Sequence, residues 1–551
     1  MARRIDSRIK IDCLLEARTP IHVGSGRNNA ETDLALAVNG RNEYYIPGAS
    51  IAGALRAWLE TGADEQTLRE IRSVWGYQES DKRKAERDKE RGPAEEHASF
   101  VLVEDAVITV PAGKFVSAEV RDGVGIDRLT GAAANQIKFD RTVLPRGTRF
   151  AVTILVELNK ESEDLARAQM NSLAEALRGG LIRFGAAKSR GLGNVTIKDL
   201  SISEQGFLRM NGLLDTLRGG SHSPKADYVK FKLPARPSLS FEIGWRPLGP
   251  LMVKAEHDGI GVNMLPLVSA IDALRGDLSF ILPGSSIKGA IRSQAERITR
   301  TLLNVVGVRL VLRKQDFIRQ IAVKEPGQAR ETDEYSLIEW LFGVAGESEA
   351  EGKKKKGSNG GDLSNPLPGL SAVSIDDCFA ELKFAAEQWA AVEKAKEDEL
   401  RGTLDAAGLT NARQVFHVAI DRWLGSAADG FLYSVLEPHG VAWEPIRLTL
   451  DLSRLPDEDR RKQSVMCMLL VLRDFAAGRI PLGHGANRGM GGVEMTSLKI
   501  NPRDCQGINW LKETGGVAFS GGKLVIPAAL QSDLNDTWRA WLHRQTGERF
   551  Q

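Results

Sequence analysis

Little in the composition singles this chain out. Its four cysteines, Cys13, Cys378, Cys467 and Cys505, lie far apart with no Cys-x-x-Cys pair, so spacing supplies no zinc or disulfide framework. Charge of one sign is missing too. The 74 Lys and Arg against 72 Asp and Glu leave a formal net charge of +2, so local basic clusters must carry any case for a polyanionic partner. No apolar run approaches the roughly 20 residues that span a bilayer, which predicts no membrane partner. The stretch Met1-Ala2-Arg3-Arg4-Ile5-Asp6 lacks the apolar core of a signal peptide, and a reducing cytoplasm is the expected location. What remains is an ordinary globular composition, 42% hydrophobic and 26% charged over 551 residues.

The chain does contain itself twice. Pro47-Gly48-Ala49-Ser50-Ile51-Ala52-Gly53-Ala54-Leu55-Arg56 returns as Pro283-Gly284-Ser285-Ser286-Ile287-Lys288-Gly289-Ala290-Ile291-Arg292. Pro20 pairs with Pro250, Trp75-Gly76 with Phe342-Gly343, and Asp105 with Asp377. Ile126-Asp127-Arg128 pairs with Ile420-Asp421-Arg422, and Ser189-Arg190-Gly191-Leu192-Gly193 with Asn487-Arg488-Gly489-Met490-Gly491. The separation between partners only rises, from 230 to 298 residues, as expected of a tandem duplication with insertions in the second copy. Residues 1–205 read as the first unit, 206–236 as a turn-rich linker, 237–500 as the second unit and 501–551 as a C-terminal extension. Asp81 to Arg91 and the run Lys353 to Lys356 read as solvated segments.

Each copy opens on an alternating strand, Ile9 to Glu16 or Leu239 to Trp245, and reaches a helix that Ser50 or Ser286 is placed to cap. Further strands follow, then a helix over Glu163 to Arg178, a Gly-rich loop and a last strand. That order predicts an α+β chain of two ferredoxin-like βαββαβ domains. The helix start suits a phosphate, with Gly53 and Gly289 open to close backbone approach, Lys288 adding charge, and Arg56 and Arg292 further along. The loop Gly185 to Gly193 precedes a strand, so it is no P-loop. Its glycines and Lys188, Arg190 and Arg488 suit contact with a polynucleotide backbone. Arg121 to Arg141, repeated at His417 to Tyr433, reads as a protruding hairpin carrying Arg121, Arg128, Lys138 and Arg422.

Together these elements resemble the RAMP superfamily of CRISPR-associated proteins, above all the fused double backbone subunits of type III effector complexes. The resemblance covers most of residues 5–200 and 238–500. It implies two RAMP domains with protruding thumb hairpins that grip a guide (CRISPR) RNA, meet a target single-stranded RNA and assemble with other CRISPR effector subunits. It further implies target cleavage by a loop aspartate with Mg²⁺ or another divalent metal; Asp33 stands at that place, as catalytic group and metal ligand, with Glu31 as a possible helper. In the second copy the matching residue is Asn263 or Ser269, depending on the register, so that copy is expected to bind RNA without cutting it, unless flanking Asp258 or Asp272 substitutes. Two rivals stay open: a catalytically inert scaffold of the same complex, and a guide-RNA-processing endonuclease relying on a histidine such as His22.

Overall fold

The computed structural model describes residues 5–26, 32–78, 96–108, 118–127, 130–208, 210–222, 231–305, 310–312, 322–324, 336–343 and 370–546. Glu31, Asp81 to Arg91, Arg128 and Lys353 to Lys356 lie outside them.

The first sheet holds β1 (Ser7–Ala17), β2 (Val101–Val103), β3 (Arg149–Leu158) and β4 (Val195–Gly206), side by side in the order β2-β3-β1-β4 and antiparallel throughout. The second holds β5 (Ser238–Pro247), β6 (Val373–Ile375), β7 (Ile446–Asp451) and β8 (Val493–Arg503), in the order β6-β7-β5-β8. Two crossover helices complete each unit, α1 (Gly48–Glu60) and α2 (Glu163–Arg178), then α3 (Gly284–Val305) and α4 (Glu458–Ala476). Both halves are therefore ferredoxin-like domains on one plan.

The plan follows from side-chain alternation. Along β1 every second residue, Ile9, Ile11, Cys13, Leu15 and Ala17, is buried beneath the helices, and Leu239, Phe241, Ile243 and Trp245 repeat this in β5. Even the irregularity is copied. A bulge in β4 lets Leu14 and Leu15 face Asp199 and Ile197, and a bulge in β8 lets Trp245 and Gly244 face Met495 and Ser497. The extra residues, Lys198 and Thr496, are themselves partners in the repeat. A shared bulge is a stronger mark of common descent than a shared strand, because it serves no generic packing need.

Each half extends one hairpin, Glu119–Ile126 with Ala133–Val143 and Ala412–Ile420 with Ala427–Pro438. These thumbs bare apolar residues that a core would otherwise claim: Val124 and Ile126 on the first, and Trp423, Leu424 and Phe431 on the second, Trp423 being 94% exposed. Beyond residue 501 the chain packs two helices, Asn509–Thr514 and Ala528–Thr546, against α4, and their Trp510, Leu530, Leu534, Trp538 and Trp541 join the second core. The extension thus closes that core. Among the described residues no helix is long and apolar enough to cross a membrane.

Candidate nucleic-acid interface

The loop after β1 returns along its own strand: Gly24 bridges Leu36, and Leu34 bridges Arg141 on the thumb. This sets Asp33 on the surface against Asp140, and the two hold each other. Asp33 N–H donates to Asp140 Oδ1 at 2.5 Å, and Asp140 N–H donates to Asp33 Oδ2 at 3.2 Å. The second copy builds the same bracket from neutral residues. Asn263 N–H donates to Ser434 Oγ at 3.2 Å, and Ser434 N–H to Asn263 Oδ1 at 2.8 Å. Asn263, and not Ser269, is therefore the partner of Asp33. The comparison also isolates what is special to the first copy. Neutral side chains suffice to hold the loop, so two adjacent carboxylates add charge that the bracket does not require.

Arg141 adjoins Asp140 in sequence, and Arg190 of the Gly-rich loop is close enough to act on its charge; neither these two nor Lys188 of the same loop has a carboxylate partner among the described residues. That loop is seated by backbone contact. Ala186 N–H donates to His22 C=O at 2.8 Å, and Gly185, at φ +80°, leaves no room for a side chain because a Cβ would stand 2.1 Å from the same oxygen. His484, after Gly483, repeats the contact on Met252 C=O at 2.7 Å. Burial and then the charge of Arg190 lower the Arg141 pKa, and partial burial and then Arg454 of the second half lower that of Lys188.

His22 is buried, and its Nδ1 lies 2.7 Å from Thr142 C=O, which can only accept, so Nδ1 carries the proton. Burial lowers its pKa and Arg141 lowers it further. This is a packed histidine rather than one facing solvent.

Several expectations from sequence are corrected. Ser50 and Ser286 do not cap their helices. Pro47 is the N-cap of α1 with no side-chain bond, Ser50 N–H and Ser286 N–H donate to Pro47 and Pro283 C=O, and the capping acceptors are Asp105 on Gly48 N–H and Asp377 on Gly284 N–H, each at 2.7 Å. The close-approach glycines are these same Gly48 and Gly284, where a Cβ would lie 2.1 and 2.2 Å from Val103 and Ile375 C=O. Gly53 and Gly289 face open space instead.

Arg56 and Arg292 turn inward. Arg56 Nε donates to Glu60 at 2.9 Å and its Nη1 to Trp75 C=O at 3.4 Å; Arg292 does the same to Glu296 and Gly343 C=O at the same distances. Their repetition reflects a shared brace between each first helix and the Trp-Gly or Phe-Gly segment. Arg121 is buried, bonded to Asp377 and to Ser269 Oγ at 2.8 Å, so it joins the halves and faces no nucleic acid. Lys138 stays exposed and pairs with Glu256 at 2.8 Å, a weak tie that a phosphate can replace. Arg422 is exposed beside Asp421, whose carboxylate closes the thumb turn on Leu424 and Trp423 N–H. Arg488 is exposed and bonded to the Tyr433 hydroxyl, and Tyr433 stacks on His417 with ring centroids 5.3 Å apart.

Lys288 is buried, its Nζ donating to Ser371 Oγ at 2.7 Å and Val373 C=O at 3.0 Å. Burial, then Arg190 and Arg292, push its pKa down to about 7. The unfolded chain keeps the lysine proton up to its ordinary value of 10.5, so between those limits the folded state binds fewer protons and stability rises with pH. Thermal unfolding at pH 7, 8 and 9 should show that rise, and Lys288→Met should flatten it. A wild-type curve without the rise would mean a lysine that keeps its proton.

Sequence reasoning missed Asp140 altogether. The only signal was Phe139-Asp140-Arg141 in the returning thumb strand, and nothing local ties it to a loop 107 residues earlier. Among the described residues no group of three or more His, Cys, Asp or Glu is gathered for a metal ion. Asp33 and Asp140 each keep one carboxylate oxygen clear of the bracket, which fits the Mg²⁺ habit of taking one or two carboxylates plus waters and substrate phosphates.

The RAMP superfamily profile matches residues 14–196 and again 268–494, more than half of the chain in two blocks. No curated protein sequence matches. Among solved structures, the chain is similar to one from the type III-B Cmr-beta complex bound to cognate target RNA, with 16% identity over 36% of this chain and a TM-score of 0.27. The match spans 61% of that protein's length.

Proposed function

This chain belongs to the RAMP superfamily, and from that premise we propose that it is a guide-RNA-binding backbone subunit of a type III CRISPR effector complex that cleaves complementary target RNA once, through its first half. The observation that carries the reading is the Asp33–Asp140 pair beside Arg141, with Arg190 of the Gly-rich loop close enough to act on that arginine, set against Asn263–Ser434 at the same place in the second half.

The guide backbone runs past the two Gly-rich loops, where Lys188, Arg190 and Arg488 meet phosphates. The exposed apolar thumb tips, Trp423 and Phe431 among them, stack on or wedge between bases. At the first half the target strand crosses Asp33. Its own 2′-oxygen attacks the adjacent phosphorus and the P–O5′ bond breaks, leaving a 2′,3′-cyclic phosphate and a 5′-hydroxyl. Asp33, aimed by Asp140, accepts the 2′-hydroxyl proton directly or through water, and solvent returns one to the departing oxygen. Arg141 and Arg190 stabilise the charge that grows on the phosphorane oxygens. Mg²⁺ or another divalent metal, held by the free oxygens of Asp33 and Asp140, would supply further charge neutralisation there.

The test is cleavage of a complementary RNA by the assembled complex. We expect one cut opposite the first half, a cyclic-phosphate end, and loss of cutting with chelator. Cutting that persists in chelator would favour the processing-type rival, and a bound, intact target would favour the scaffold. Guide binding should also weaken with salt. Each phosphate contact to a single strand adds about 0.7 to the log–log salt slope, so Lys188→Ala with Arg190→Ala should reduce it by roughly 1.4. An unchanged slope would remove these two residues from the backbone grip.

A further inference from the structure

The duplication runs past the last strand of each half. After β4, Asn211, Leu213, Asp215 and Thr216 match Asn509, Leu511, Glu513 and Thr514 after β8, each 298 residues on, the offset that also relates Gly191 to Gly489. Gly219-Gly220 then answers Gly515-Gly516. Each half thus appends one short helix to its final strand, Met210–Leu217 in the first and Asn509–Thr514 in the second.

The two copies differ in what covers them. In the second half, Ala528–Thr546 lies against both α4 and Asn509–Thr514. Trp510, Leu511 and Thr514 are buried there, and Lys462 of α4 holds the covering helix through Asp533 at 2.8 Å. The first half has no such cover among the described residues, and no residue of Met210–Leu217 is buried. Met210, Leu213, Leu214 and Leu217, spaced i, i+3, i+4 and i+7, make one apolar stripe. Met210 and Leu217 are 70% and 75% exposed, and Leu213, the match of fully buried Leu511, is 39% exposed. The core behind is also less filled. Asn171, Ala174, Ile197 and Ile202 line a cavity of about 40 Å³ between α2 and the sheet, where the second half buries Leu469, Leu472, Met495 and Ile500. The Nδ2 of Asn171 is buried without a hydrogen-bond partner. Asp6 draws the stripe toward the start of α2: its C=O accepts from Phe207 N–H at 2.9 Å, and its carboxylate from Lys160 N–H at 3.2 Å. Counting back from the matching C-caps, Gly179 and Ala477, the residue of α2 that stands in the place of Lys462 is Asp164. Asp164 is exposed and has no ion-pair partner among the described residues.

We infer that the Met210–Leu217 stripe and the start of α2 dock an amphipathic helix of another protein, apolar on one side and carrying a lysine or arginine that meets Asp164. The second half shows what completes this structure: a helix bearing Leu530, Leu534, Trp538 and Trp541, laid on the same two elements. The exchange of Lys462 for Asp164 reverses the charge that the site selects. The occupant is therefore not the C-terminal helix of a second copy, whose Asp533 would face Asp164. The contact involves no RNA, so it stands or falls apart from the cleavage reading.

The chain's own C-terminal helix, with its charge adapted, supplies the probe. A fluorescein-labelled peptide of residues 527–546 carrying Asp533→Lys is titrated with the full, nuclease-treated chain and followed by anisotropy. It should bind saturably and about fivefold more tightly than the unmodified peptide, the scale of one exposed ion pair. Asp164→Lys in the chain should invert that order, and Leu213→Asp with Leu217→Asp should abolish binding of both peptides. Circular dichroism checks that each variant, altered only at exposed positions, is folded. Absence of saturable binding overturns the inference, as does an order of preference that Asp164→Lys leaves unchanged, or binding that survives the paired leucine change. A wild-type chain that prefers the unmodified peptide would make a second copy the occupant and overturn the assignment of the partner.

Discussion

Asp33→Asn should leave the complementary RNA bound and uncut. The second half already demonstrates the fold of this variant, since Asn263 keeps the reciprocal bracket with its thumb partner. The substitution therefore removes charge and proton-accepting capacity without releasing the loop. Loss of a positioned general base, or of a ligand for the metal ion, costs roughly 10²–10⁴-fold in rate. Product formation should fall by that much in a single-turnover assay, while target affinity by filter binding stays within about twofold, the bracket and the cations Lys188 and Arg190 being intact. Asp140→Ala differs in kind: it removes the acceptor for Asp33 N–H, lets the loop drift, and should lower the rate while Asp140→Asn retains more of it. Wild-type cleavage by Asp33→Asn at the same position would transfer the chemistry to another subunit.

Arg121→Ala should be the most damaging single change to stability. Arg121 is buried between Asp377, Glu119 and Ser269, and truncation strands two carboxylates in the contact between the halves. Removing one partner of a buried charge cluster costs about 3–5 kcal/mol. Two transitions should replace one in denaturant unfolding, the halves then melting separately. The pH dependence carries a sign. Burial already raises the Asp377 and Glu119 pKa values against the pull of Arg121. Without the arginine they rise further, the folded state binds protons more readily than the unfolded chain, and the deficit shrinks as pH falls toward 5. Neutralising the whole cluster, as Arg121→Met with Glu119→Gln and Asp377→Asn, should recover most of the loss. A single wild-type-like transition for Arg121→Ala would show that other contacts hold the halves together.

The domain plan was legible because it rests on short-range regularities. Alternation in β1 and β5 and the apolar period of α2 depend on neighbours in sequence, and the duplication gave each pattern a second reading. The roles of the basic residues were not legible, and for one physical reason: a charge in a sequence does not announce its partner. Arg121 looked like a surface contact because Asp377 lies 256 residues away, and Arg56 and Arg292 were kept in both copies for a brace that only folding reveals. The same distance hid Asp140. Where the sequence offered Asn263 or Ser269 as partner of Asp33, hydrogen bonding decides: Asn263 holds its thumb, and Ser269 serves the seat of Arg121.

The buried clasp at Arg121 also bears on how the halves came to differ. Identical units that meet by diffusion can occupy any slot, so a change that silences one silences all of them. Covalent fusion, locked by a clasp that works in one direction only, gives each half a permanent address. Asn263 and Ser434 can then stand at one location while Asp33 and Asp140 stand at the other, a difference that freely exchanging copies of a single unit could not keep.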